Sequence, residues 1–213
     1  VEIQKVNINS PIPAEWENYV TQTNLGLETI PAMLYSVKSY TSGTTTILSF
    51  FDFVNASRPD LTNMQQASML PNPESFLIQN IRVFYQTGLQ SDGIGTANNA
   101  NLLSSFNDVI NLSKNGILRL KIGNKSYGPW PLWTLPAHNF VKGSVGGGSP
   151  TSTLDYGQVD GYLYSLFPNL MIAPLQQFSV TLEWPGGAQT LSTTGGSLPI
   201  EVLFDGQTAR SIQ

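Results

Sequence analysis

One histidine, no cysteine and fourteen Asp and Glu residues in a chain of 213 set narrow limits on the available chemistry. His138, in Pro136-Ala137-His138-Asn139-Phe140, is the single imidazole, so a nucleophilic triad or a histidine general base has to be built on it. A solitary loop histidine is more often solvated or hydrogen-bonded than catalytic, and that reading is preferred. Two carboxylate pairs come next. Asp155 and Asp160 flank a Tyr-Gly turn, and Asp52 and Asp60 border an Asn-rich loop. Glycosidase chemistry needs two carboxyl groups roughly 5–10 Å apart, and nothing in the spacing brings either pair together, so turn-stabilising Asp side chains are the better reading. Asp52, Asn55, Asp60 and Asn63 are oxygen donors suited to calcium, but they lack the alternate-position pattern, glycine and terminal Glu of an EF-hand. Gly146-Gly147-Gly148 lacks the Lys-Ser/Thr of a phosphate loop and does not open a helix. The absence of cysteine excludes disulfides, thiolate nucleophiles, iron–sulfur clusters and Cys-ligated zinc. No residue is therefore assigned a catalytic, cofactor-binding or metal-binding role, and the expectation is a protein that is not an enzyme and carries no cofactor.

Any site would have to be positioned by a chain that keeps itself in water in an unusual way. Only 11% of residues are charged, against roughly 25% in ordinary soluble domains. Ser, Thr, Asn and Gln together number 69, so neutral hydrogen-bonding groups carry solubility. Such a surface suits close self-packing, because it brings neither strong repulsion nor the full desolvation cost of ions. A formal net charge of −4, with no basic stripe, argues against sequence-specific nucleic-acid binding. The uncharged run 161–182 has membrane-span length, but Pro168, Asn169, Pro174, Gln176 and Gln177 interrupt it and it alternates as strands do. Glu2, Lys5, Glu15 and Glu17 stand where a secretory signal would be apolar, so synthesis and first folding in a cytoplasm are expected for the chain as it stands.

Along the chain, Pro11, Pro13 and Pro31 in a mixed polar opening predict an extended arm over residues 1–31. Period-two alternation predicts a strand over 34–40. The β-branched and aromatic stretch 44–54 reads as a buried strand, followed by a polar loop over 55–63. Residues 76–85 carry apolar bulk on both faces and predict an inner strand, with Phe76, Ile78, Asn80 and Arg82 on one face. Over 98–113 the period changes, and Leu102, Leu103, Phe106, Val109 and Ile110 predict one amphipathic helix. Residues 117–122, Gly123-Asn124 and 125–127 form the clearest hairpin signal, with Leu118, Leu120 and Ile122 facing the core. Pro129, Pro131 and Pro136 then break up Trp130, Leu132, Trp133 and Leu135, as on an irregular edge. Tyr127, Trp130 and Trp133 suit a core, a subunit contact or a sugar platform. Further strands are predicted over 161–166, 170–172, 178–184 and 198–204. Seven to nine strands, one helix and no βαβ alternation make the class all-β, a two-sheet antiparallel sandwich.

Three stretches resemble the major capsid proteins of tailless, lipid-containing icosahedral bacteriophages. They are Leu61-Thr62-Asn63-Met64 through Pro71 into Phe76 to Val83; Gly116 to Gly123 with Gly128-Pro129-Trp130-Pro131-Leu132; and Pro174 to Trp184. The resemblance implies a viral jelly roll of eight antiparallel strands. With one sandwich's worth of strands, the expectation is a single jelly-roll domain over 32–213, one short helix in a loop, and the N-terminal arm. It further implies a structural capsid protein that self-assembles into capsomers of an icosahedral shell within the virion, after assembly in a host cytoplasm. Its partners would be further copies of itself, other capsid or vertex proteins, and an inner viral membrane. The alternative is a carbohydrate- or receptor-binding β-sandwich, such as a phage spike or lectin-like module.

Overall fold

The computed structural model describes residues 27–85, 99–135, 144–146, 153–155, 164–192 and 196–211. In chain order the strands are β1 (Leu27–Thr41), β2 (Ile47–Phe50), β3 (Ser75–Tyr85), β4 (Ile117–Ile122), β5 (Lys125–Pro131), β6 (Ser144–Gly146), β7 (Thr153–Asp155), β8 (Tyr164–Ile172), β9 (Phe178–Glu183) and β10 (Ser197–Ser211). Among the described residues, one helix, α1 (Asn99–Asn115), precedes β4, and one 3₁₀ turn, Leu132–Thr134, follows β5. The first sheet has the order β1-β10-β3-β8 and the second β2-β9-β4-β5, while β6 and β7 form a small hairpin. All pairings are antiparallel, and the protein is an all-β two-sheet sandwich.

The core lies between the inner faces of the two sheets. From the first sheet come Leu34, Phe76, Ile78, Ile81, Val83, Ile200, Val202 and Phe204, and from the second Phe50, Leu118, Leu120, Val180 and Leu182. Phe51 bridges them, stacking on Phe204 at 5.0 Å and meeting Phe178 at 5.5 Å between ring centroids. Strand β3 changes phase at Gln79. Ile78 pairs with Gly206 and Leu170, and the next paired residue, Asn80, with Asp205 and Ser165. This bulge is why Phe76 and Ile78 share the core face with Ile81, Val83 and Tyr85 rather than with Asn80 and Arg82. Strict alternation cannot anticipate one extra residue.

The β4–β5 hairpin follows its sequence signal. Leu118, Leu120 and Ile122 are buried, Arg119 and Lys121 are exposed, and of the two turn residues only Gly123 has positive φ, at 56°. Helix α1 stops before Gly116, where a Cβ would meet Leu132 Cδ1 at 2.5 Å, the Leu112 carbonyl at 2.8 Å and Trp184 Nε1 at 2.9 Å. Trp184 ties the helix to the sandwich: its indole N–H donates to the Leu112 carbonyl at 3.0 Å, and its ring meets Tyr40 edge-on at 4.7 Å. Buried Asp108 on the helix accepts the Ser192 N–H at 2.7 Å. Val109 and Leu112 face the core, whereas the side chains of Leu102, Leu103 and Phe106 lie outside the described residues.

Several expected boundaries move. The stretch 44–54 contributes only the four residues of β2, and Ile47 and Val54 are exposed. The strand lies at a sheet edge with one pairing partner, and Phe51 ends it with φ at 61°. The two strands expected over 161–172 are one, β8, running through Pro168. The helix expected over 98–113 spans Asn99–Asn115, a shift of one or two residues at each end. Strand β1 starts at Leu27, so residues 27–31 of the expected arm pair with residues 207–211 of β10, while residues 1–26 lie outside the described residues.

Candidate functional site

The structure disperses the chemical candidates. Asp52 pairs with Lys38 at 2.7 Å, and Asp60 with Arg58 at 2.7 Å. The bidentate Arg58 guanidinium holds the exposed Asp60 carboxyl below its ordinary range. Asn55 accepts the Arg58 N–H through its side chain, and Asn63 is committed to β1, accepting the Tyr35 N–H and donating to the Met33 carbonyl. The four donors considered for calcium are thus each engaged within the protein, Asn55 and Asp60 on Arg58, Asp52 on Lys38 and Asn63 on β1. Among the described residues there is no group of three or more His, Asp or Glu placed to hold a metal. His138 and Asp160 lie outside the described residues, as does the Asp155 side chain. Arg82 and Arg119 sit on strands as expected, and each finds a cross-strand carboxylate, Asp205 and Glu183 respectively.

The proline-rich aromatic cluster divides. Tyr127 and Trp130 turn inward and pack on the core, because their register partners Leu120 and Leu118 face inward. Trp133, on the 3₁₀ turn between buried Leu132 and Leu135, is 63% exposed. Among the described residues, the other large apolar side chains open to solvent are Met33, Ile47, Val54 and Leu175.

The sheet edges carry a common feature that residue-by-residue reading of the sequence does not show. On β1 the N–H groups of Tyr35 and Val37 point away from β10, toward Asn63 Oδ1 and the Leu61 carbonyl. The unbroken register gives Pro31 the same outward phase, so its missing N–H removes no ladder bond and leaves the edge one donor short. Thr62 Oγ1 donates to the Tyr35 carbonyl, and Thr45 Oγ1 accepts the Thr41 N–H, which closes more of this edge. Edge strand β5 contains Pro129 and Pro131, edge strand β8 contains Pro168, and edge strand β2 has four residues. The four edges of the two larger sheets are thus short, proline-bearing or covered, features that oppose strand-to-strand addition between molecules.

Burial pushes the phenols of Tyr85 and Tyr40 above their ordinary value, in Tyr40 partly offset by the backbone hydrogen bond to Gln189. Both belong to the core rather than to a reactive site. No family model, curated protein or solved structure matches this chain.

Proposed function

We propose that the protein is a structural capsid protein, a single jelly roll that self-associates into capsomers of an icosahedral shell. The observation that carries this reading is the nesting of strand pairs. With the β6–β7 hairpin set aside, β4 pairs with β5, β3 with β8, β2 with β9 and β1 with β10. The chain thus runs as one long hairpin whose limbs pair from the tip outward and then roll into two sheets. That arrangement supports the eight-stranded jelly roll, an architecture shared by capsid and lectin domains. A fold hosts several functions, so the surface has to weigh between them. A low-charge exterior rich in Ser, Thr, Asn and Gln, together with four blunted edges, favours a protein that packs against copies of itself by faces while avoiding indiscriminate sheet extension.

A second reading, a carbohydrate- or receptor-binding sandwich, is favoured by one feature, the exposed indole of Trp133 beside Pro131. Electron microscopy and sedimentation of the purified protein separate the two. The capsid reading expects closed shells or regular capsomers whose yield is unaffected by soluble polysaccharide. A small species that is retarded on polysaccharide gels, and is released from them by Trp133→Ala, would overturn it.

A further inference from the structure

Asn115-Gly116 is the one Asn-Gly step in the chain, and it falls where α1 ends and β4 begins. An asparagine followed by glycine is poorly shielded, because the next residue has no Cβ to keep its backbone nitrogen away from the side-chain carbonyl carbon. Packing makes this glycine obligatory. A Cβ at position 116 would meet Leu132 Cδ1, the Leu112 carbonyl and Trp184 Nε1, all closer than 3.0 Å, so the labile step comes with the junction itself. Asn115 is exposed and open to water.

Two features hold the step dormant. Ring closure needs the Asn115 Cβ and the Gly116 nitrogen nearly eclipsed about the Cα–C bond, which helical backbone at the end of α1 does not give. The amide is also clamped from outside. Asn115 Nδ2 donates to Gln189 Oε1 at 2.9 Å. Every other polar group of Gln189 is engaged: Nε2 donates to the Gly187 carbonyl at 2.8 Å, the N–H donates to the Tyr40 hydroxyl, and the carbonyl accepts from Tyr40 Oη at 3.1 Å and the Gly43 N–H at 3.0 Å. Tyr40 is buried against Trp184, so the clamp is anchored in the core.

We propose that Asn115-Gly116 is a self-modification site whose reactivity is gated by Gln189. The Gly116 nitrogen attacks Asn115 Cγ and gives up its proton. The Cγ–Nδ2 bond breaks, and ammonia carries away the amide nitrogen with that proton. Water then opens the cyclic imide at one of its two carbonyl carbons, which leaves aspartate or isoaspartate. Either product undoes the clamp. A carboxylate at 115 has no N–H for Gln189 Oε1, sets acceptor against acceptor, and places negative charge at the C-terminal end of α1, where the helix dipole opposes it. Isoaspartate also adds a carbon to the main chain beside Gly116, where there is no room for one. The modified chain is thus weakened at the joint between helix and sandwich. Nothing in this chemistry depends on the assembly reading.

Incubating the full chain in mildly alkaline buffer beside a peptide of residues 111–119 tests the gate, with peptide mass spectrometry and isoaspartyl methyltransferase labelling as readouts. The peptide should convert at Asn115 at least tenfold faster than the folded chain. Gln189→Met, which keeps the side-chain length without the amide oxygen, should raise the folded chain's rate at Asn115 at least threefold and leave Asn55, Asn63 and Asn124 unchanged. Gly123→Val, destabilised at a turn remote from the clamp, should leave the Asn115 rate at the parent value. Asn115→Asp, the product made directly, should melt below the parent. A stable peptide, equal rates in peptide and folded chain, an unchanged rate in Gln189→Met, equal acceleration in Gly123→Val, or an Asn115→Asp protein that melts with the parent would overturn the inference.

Discussion

Gly206→Ala should be among the most damaging single-methyl additions in this protein. Gly206 lies in the middle of β10, paired with Ile78 opposite the Gln79 bulge. A Cβ built there falls 1.8 Å from the Leu77 carbonyl oxygen, 2.9 Å from its carbon and 3.2 Å from Phe76 Cε1. Reaching the 3.0 Å below which Cβ contacts essentially never fall requires a retreat of 1.2 Å by 3.0 − 1.8. The atoms that must retreat are backbone in β3, which is paired with β10 on one side and β8 on the other. Overpacking of a core costs about 1–3 kcal/mol, and a clash with doubly paired backbone belongs at the upper end. At roughly 2–4 °C per kcal/mol for a domain of this size, about 3 kcal/mol lowers the melting point by about 6–12 °C. Thermal and urea unfolding, followed by the fluorescence of buried Trp184, measures this directly. Gly186→Ala is the control, because a Cβ there meets nothing within 4 Å and φ is not positive. If Gly206→Ala melts within about 2 °C of the parent, the bulge and the register around it are misassigned.

At the β4–β5 turn, Gly123→Val should cost more than about 1 kcal/mol, since φ at 56° is poorly tolerated by a β-branched residue; urea midpoints check it. Deleting residues 1–26 should leave cooperative unfolding intact, whereas deleting 1–31 strips five pairs from the β1–β10 ladder and should lower the melting temperature measurably. Alkaline stability follows from the buried phenols. The folded chain holds the protons of Tyr85 and Tyr40 above the ordinary value of 10.0, so their contribution is intact below about pH 10 and falls as pH rises past it. Melting curves across that range should decline steeply, with tyrosinate absorbance appearing together with unfolding, and Tyr85→Phe should flatten the decline. Asp108→Ala leaves the Ser192 N–H without its buried acceptor and should cost about 1–3 kcal/mol in chemical denaturation.

What the sequence determined by itself is what local physics determines. Alternation over 117–122 and 178–183 marks which side chains enter the core, because a strand's two faces are set by its own backbone. Gly123 and the period change over 98–113 similarly announce a turn and a helix, and the lack of cysteine with a lone imidazole limits the chemistry. Tertiary structure decided matters that depend on a partner strand. Whether the apolar stretch 44–54 is buried follows from β2 standing at an edge, and the face taken by Ile81 and Val83 follows from a bulge matched to β10 and β8. Tyr127 and Trp130 turn inward while Trp133 turns out, although all three share one proline-rich stretch, because only the first two are in register with Leu120 and Leu118. Contacts between distant loops were least legible of all. The turns at Gly123 and Leu175 are 52 positions apart in the chain, and only the fold sets them side by side at one end of the sandwich, where the Gly123 N–H donates to the Gln177 carbonyl.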